Sequence, residues 1–116
     1  MITGVHTMFY SSEPEALRLF IRDKLGLSAT DVGGGWLIFD IPSADMGVHP
    51  AQAAIGTPSG MHYVSFFCDD INTTVEKLSG RGVEFTDDVT DVGYGLAIHF
   101  TMPGDVHVKL YQPSYK

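Results

Sequence analysis

Two short runs rich in β-branched and aromatic residues punctuate the chain. They are Val5-His6-Thr7-Met8-Phe9-Tyr10 and Met61-His62-Tyr63-Val64-Ser65-Phe66-Phe67. Each reads as a strand, and each gives way to polar residues and then to apolar positions at helical spacing. Ser12 or Glu13 can cap the first helix, Pro14 suits its first turn, and Ala16, Leu17, Leu19, Phe20 and Ile21 form its apolar stripe. Asp69 or Asp70 can cap the second, where Ile71, Thr74, Val75 and Leu78 recur at the same period. Glycine closes both, in Leu25-Gly26-Leu27 and Arg81-Gly82-Val83.

The pattern is one unit used twice. His6 and His62 are 56 positions apart, as are Gly26 and Gly82. Downstream, Asp31 to Gly35 followed by Trp36 to Ile41 matches Asp87 to Gly95 followed by Leu96 to Met102. A proline ends each stretch, Pro42 and Pro103. Each half then closes with an extended piece, Met46 to His49 and Val106 to Tyr111. The repeat predicts an α+β domain of two tandem βαβββ modules, about 1–52 and 60–116, joined by a loop over residues 52–60. Neither half is long enough to bury a sufficient core alone, so 1–116 reads as a single domain.

Charge and cysteine content narrow the function. Fourteen acids against seven bases give a net charge of −7, which excludes nucleic acid and anionic membrane as the main partner. One cysteine, Cys68, excludes a disulfide scaffold, and its acidic neighbours disfavour a thiolate. No apolar run is long enough to span a bilayer, and the opening residues lack a secretory pattern, so a cytoplasmic location is expected. Gly33-Gly34-Gly35 lacks the spacing of a phosphate-binding loop and reads as a hairpin turn, so no nucleotide cofactor is expected.

Strand alternation places His6, Met8 and Tyr10 on one face, His62, Val64 and Phe66 on one face, and His107, Lys109 and Tyr111 on one face. If the halves are related by a pseudo-twofold axis, His6 and His62 are equivalent. Paired neutral imidazoles can begin a transition-metal site. Ordinary half-buried strand histidines are the competing explanation. His99, by its parity with Ala97 and Thr101, reads as a surface or interface residue.

The duplicated unit, with His6, Leu25-Gly26-Leu27, His62, Asp69-Asp70-Ile71, Arg81-Gly82-Val83 and the closing Met102-Pro103-Gly104-Asp105-Val106-His107-Val108-Lys109-Leu110-Tyr111, resembles the vicinal oxygen chelate superfamily of glyoxalases, bleomycin-resistance proteins and extradiol dioxygenases. The resemblance implies a cup-shaped mixed sheet. It also implies a divalent transition metal (zinc, iron, nickel or manganese) held by His6, His49 and His62 and acting on a small vicinal-oxygen substrate. The family's usual last ligand is a glutamate, where this chain has Lys109. An ammonium has no lone pair to give a metal. Either His107 completes the set, or Lys109 displaces the metal and binds an anionic ligand. The alternative function is therefore metal-free sequestration of a small molecule, with Lys109, Tyr10, Phe66, Tyr111 and Trp36 as ligand-binding candidates. Small members of the superfamily commonly pair, so a homodimer is expected.

Overall fold

The structure, a computed structural model, describes residues 1, 6–41, 43–48 and 50–114. Helix α1 spans Pro14–Asp23, with the proline in its first turn, where a missing N–H costs nothing, and buried Leu17 and Ile21 one turn apart. A two-stranded antiparallel ladder follows, β1 (Ala29–Asp31) against β2 (Leu37–Phe39). A single 3-10 turn, Ala53–Ile55, lies in the loop between the halves.

The second half is a complete βαβββ unit: β3 (Ser65–Phe67), α2 (Ile71–Gly80), β4 (Thr90–Asp91), β5 (Gly95–Met102) and β6 (Val106–Pro113). The Asp70 carboxylate caps α2 by accepting the Thr73 N–H at 3.1 Å. The four strands run β3-β6-β5-β4, with β3 parallel to β6 and the other neighbours antiparallel. This mixed α+β arrangement agrees with the fold class expected from the repeat.

Residues 6–10 and 46–48, the described parts of the stretches expected as the outer strands of the first module, carry no strand pairing among the described residues. A strand needs a long partner ladder, and the eight-residue β6 provides one for both β3 and β5. The first half offers only three-residue strands. Its closing stretch, Ser43 to Val48, includes Ala, Asp and Gly where the second half has β-prone Val106-His107-Val108-Lys109-Leu110-Tyr111.

The core lies on one face of the four-stranded sheet. Ile98, Phe100 and Met102 of β5 and Val108 and Leu110 of β6 meet Ile71 and Leu78 of α2 and Leu17 and Ile21 of α1. The first half's helix is thus buried against the second half's sheet. Polar contacts fix the junction. The Ser11 hydroxyl donates to the Pro103 carbonyl at 2.8 Å, the Gly104 N–H donates to the Glu13 carboxylate at 3.1 Å, and Arg81 Nη1 donates to the Lys24 carbonyl at 3.1 Å.

Gly104 is where the β5–β6 turn requires glycine. Its φ is +87°, and a Cβ there would run into the Ser11 side chain and lie 3.1 Å from the Ser12 backbone nitrogen. Gly104→Ala is expected to destabilise the protein by roughly 2 kcal/mol, from left-handed backbone strain plus the lost junction contacts. Thermal or urea unfolding measures this, and an unchanged midpoint would show the junction to be slack.

Among the described residues, no helix is long and apolar enough to cross a membrane.

Candidate functional site

Register decides which side chains share the sheet's open face. Even-numbered residues of β5 and β6 point into the core, so the odd-numbered ones point away from it. On that open face Lys109 pairs with Ser65 of β3 on one side and His99 of β5 on the other. Tyr111 pairs with Phe67 and Ala97, and Thr101 with His107.

Lys109 is the best-positioned charge on this face. Its ammonium donates to the Tyr94 hydroxyl at 3.3 Å and lies 5.6 Å from the Tyr94 ring centroid and 5.4 Å from that of Tyr111. The two rings meet edge to face, 5.6 Å apart at 67°. The Tyr111 hydroxyl donates to the Tyr94 carbonyl at 3.4 Å. The rings hold the ammonium by cation–π attraction while leaving it in reach of solvent. One of its three N–H groups is used by Tyr94, and no other acceptor among the described residues takes the remaining two.

A turn that opens with the same contact as one in the first half delivers Tyr94. Asp91 accepts the Gly93 N–H at 2.8 Å, as Asp31 accepts the Gly33 N–H at 2.8 Å. Both turns open with Asp-Val-Gly, but Asp91 to Leu96 encloses four residues where Asp31 to Leu37 encloses five. A tyrosine between two glycines in the shorter turn was a visible signal for Tyr94.

Beside Lys109, His99 is gripped by Asp87. One carboxylate oxygen accepts the His99 backbone N–H at 2.7 Å, and the other lies 2.7 Å from Nδ1 of the ring. Burial pushes the Asp87 carboxyl up, but the two hydrogen bonds and the charge of His99 outweigh it and hold the group below its usual range. Thr86 secures the same segment, its N–H and hydroxyl donating to the His99 carbonyl at 2.8 and 3.2 Å. His99, expected at a surface or interface, is half-exposed and stands on the face that carries Lys109.

Among the described residues the predicted metal ligands are not gathered. His6 and His62 are exposed, and His107 is an exposed residue within 3.2 Å of the Thr101 hydroxyl. His49 lies outside the described residues. Among the described residues no three His, Cys, Asp or Glu side chains come together at metal-holding range.

The helices also correct the His6–His62 equivalence. Their N-caps, Glu13 and Asp70, are 57 positions apart, one more than the glycines suggested. His6 precedes Glu13 by seven residues, and the residue seven before Asp70 is Tyr63. Alternation agrees, because Ser65 and Phe67 share the Lys109 face and period 2 leads back from them to Tyr63. Counted from the helix N-caps, the two second-half positions in question hold the phenol of Tyr63 and the ammonium of Lys109.

Three other candidates separate from the site. Phe66 pairs with Leu110 and lies with Phe9 and Phe100 on the core side, because its parity is that of the buried residues. Trp36 precedes β2 and sits beneath the Arg18 guanidinium, 4.6 Å from the ring centroid. Tyr10 is 90% exposed in the segment before α1. Cys68 is also on the core side. Burial pushes its thiol up, the Asp69 and Asp70 charges add to this, and a hydrogen bond with Thr74 only partly opposes it.

A family model described as "Glyoxalase/Bleomycin resistance protein/Dioxygenase superfamily" matches residues 4–110. No curated protein matches the sequence. Among solved structures, the antibiotic binding protein TnmS3 from Streptomyces sp. CB03234 is similar, with a TM-score of 0.64 and 21% identity over 98% of this chain and 100% of that one. A superfamily member from Sphaerobacter thermophilus DSM 20745 gives a TM-score of 0.62 and 23% identity, covering 96% and 98%. Lactoylglutathione lyase from Agrobacterium tumefaciens gives 0.63 and 15%, covering 91% and 90%.

Proposed function

The chain belongs to the glyoxalase/bleomycin resistance protein/dioxygenase superfamily, and from that premise we propose that it binds a flat, anionic small molecule on the open face of its sheet, without a metal ion. The observation that carries this reading is the Lys109 ammonium between Tyr94 and Tyr111, with two N–H donors left for a ligand. An anion accepts those donors, and the tyrosine faces and Phe67 provide apolar walls, the mix of few polar groups and aromatic surface common to ligand sites. An aromatic carboxylate such as benzoate is the simplest probe. The antibiotic binding protein TnmS3, of similar fold, supports a binding rather than a catalytic reading.

The second reading keeps a divalent transition metal on His6, His49 and His62, with His107, acting on a vicinal-oxygen substrate. The presence of His6 and His49 in the first half and His62 and His107 in the second favours it. Elemental analysis separates the two. After exposure to zinc, iron, nickel and manganese and removal of the excess, the first reading predicts well under one ion per chain. About one ion per chain, lost in His6→Ala, would favour the second.

We further propose that the functional form is a homodimer. Tyr10, Met46, Val48, Ile55 and Tyr63 are apolar or aromatic and at least 70% exposed, and all lie in the first half or the segment leading into β3. A second copy seated on this half would cover these side chains. Light scattering at micromolar concentration should give twice the 12.6 kDa chain mass. The mass of a single chain would refute the dimer.

A further inference from the structure

We propose that the ligand carries a hydroxyl group beside its anion, and that His99 accepts the proton of that hydroxyl in a hydrogen bond while Asp87 positions the imidazole to do so. The proposal rests on the Lys109 reading, because it places the hydroxyl next to the anion that Lys109 holds.

The argument starts from Asp87. Its carboxyl is held below the usual carboxylate range, so near neutral pH it is ionised and offers only acceptors. One oxygen already accepts the His99 backbone N–H, which fixes the carboxylate's orientation. The other, 2.7 Å from Nδ1, can make that contact only if Nδ1 bears the proton. In neutral His99 the remaining nitrogen, Nε2, is therefore an acceptor.

Register then sets the neighbourhood. His99 and Lys109 are directly opposed on β5 and β6, so their Cβ atoms are about 5 Å apart on the same face. The charged or titratable groups near His99 are Asp87 on the preceding segment, Lys109 opposite, and His107 one pair along the strand. The double grip of Asp87 secures the tautomer and the orientation of the imidazole.

The face thus carries a cationic donor and a neutral acceptor on two directly opposed residues. The complementary ligand has an anionic oxygen for Lys109 and an O–H donor a few ångströms away for His99. A hydroxylated aromatic carboxylate meets both demands, whereas an unsubstituted one leaves Nε2 unused. Both groups act in binding only.

The test is calorimetric titration at about pH 8, above the range where ordinary imidazoles charge. The probes are benzoate, the 2-, 3- and 4-hydroxybenzoates and the corresponding methoxybenzoates. Wild type should bind at least one hydroxybenzoate about 3- to 10-fold more tightly than benzoate, the effect of one added neutral hydrogen bond. The matching methoxybenzoate, having no proton to donate, should lose that gain. In His99→Leu the hydroxyl preference should vanish while benzoate affinity stays within about twofold of wild type.

Asp87→Asn supplies a readout that a merely structural role would not move. With the amide oxygen still accepting the His99 N–H, the amide nitrogen faces Nδ1 and donates to it, so the proton shifts to Nε2. The preference for hydroxy- over methoxybenzoate should then fall to parity or below, with benzoate binding retained. Equal binding of benzoate and all hydroxybenzoates by wild type would overturn the proposal and leave the Lys109 reading standing. Failure of every probe to bind would remove both. A hydroxyl preference that survives in His99→Leu would also overturn it.

Discussion

Replacing Lys109 with methionine is expected to weaken benzoate binding by roughly 10- to 100-fold while the protein remains folded. A hydrogen bond to a charged group contributes about 1.5–3 kcal/mol, and each 1.4 kcal/mol is a factor of ten in affinity. Methionine keeps most of the stem that passes the Tyr94 and Tyr111 rings, so the lost stability is limited to two cation–π contacts of roughly 0.5–1 kcal/mol each and the exposed hydrogen bond to the Tyr94 hydroxyl. Lys109→Arg should restore much of the affinity, since the guanidinium also stacks on aromatic rings and donates to carboxylates. The rest of the molecule does not favour anions: at a net charge of −7 its long-range field repels them. The attraction is therefore local to one side chain, and raising the salt concentration should change the affinity little. If Lys109→Met binds benzoate as well as wild type does, the lysine is a surface cation and the assignment of the site is wrong.

Gly95→Ala is expected to destabilise the protein by roughly 3 kcal/mol and to impair the same binding. Gly95 opens β5, is buried, and faces the Lys109 side of the sheet. A Cβ there would run into the Gln112 carbonyl oxygen of the adjacent strand and lie 2.8 Å from the Tyr111 ring. The carbonyl belongs to backbone and has little room to yield, so relief must come from displacing β6 or the ring; overpacking of this kind costs typically 1–3 kcal/mol. Moving Tyr111 also moves one wall of the Lys109 niche. Chemical unfolding and benzoate titration on the same sample should therefore both register the change. A variant of wild-type stability would show that β5 and β6 tolerate a wider separation there.

The second half was legible in the sequence because each element announces itself locally. Asp70 caps, Ile71 and Leu78 mark one helical face, and Val106-His107-Val108-Lys109-Leu110-Tyr111 is β-prone throughout. The first half was less so. Strand-like composition in Thr7-Met8-Phe9-Tyr10 describes the residues, but a strand exists only with a partner, and partners are non-local.

The site divides in the same way. Lys109 stood out as a departure from the family pattern, and its face followed from period 2. Parity within β5 places His99 at the surface, as the structure has it, but says nothing of the neighbouring strand that sets Lys109 opposite it. The three-residue turn Pro103-Gly104-Asp105, with Gly104 and Asp105 both at positive φ, sets the register that brings 99 opposite 109. His62 was paired with His6 through glycines at the far ends of the helices, whereas the helix N-caps, nearer the strands, give a spacing longer by one. A slip of one residue in a strand exchanges its faces, which is how an imidazole was expected where Tyr63 stands.

The central claim is that the sheet face binds an organic anion by its own side chains, independently of a metal. Calorimetric titration of benzoate into chelator-treated protein, and into the same protein supplied with excess zinc, tests it most directly. The account predicts saturable binding with one affinity in both, within about twofold. Binding that appears only in the zinc-supplied sample would contradict it and restore the histidines to the centre of the site.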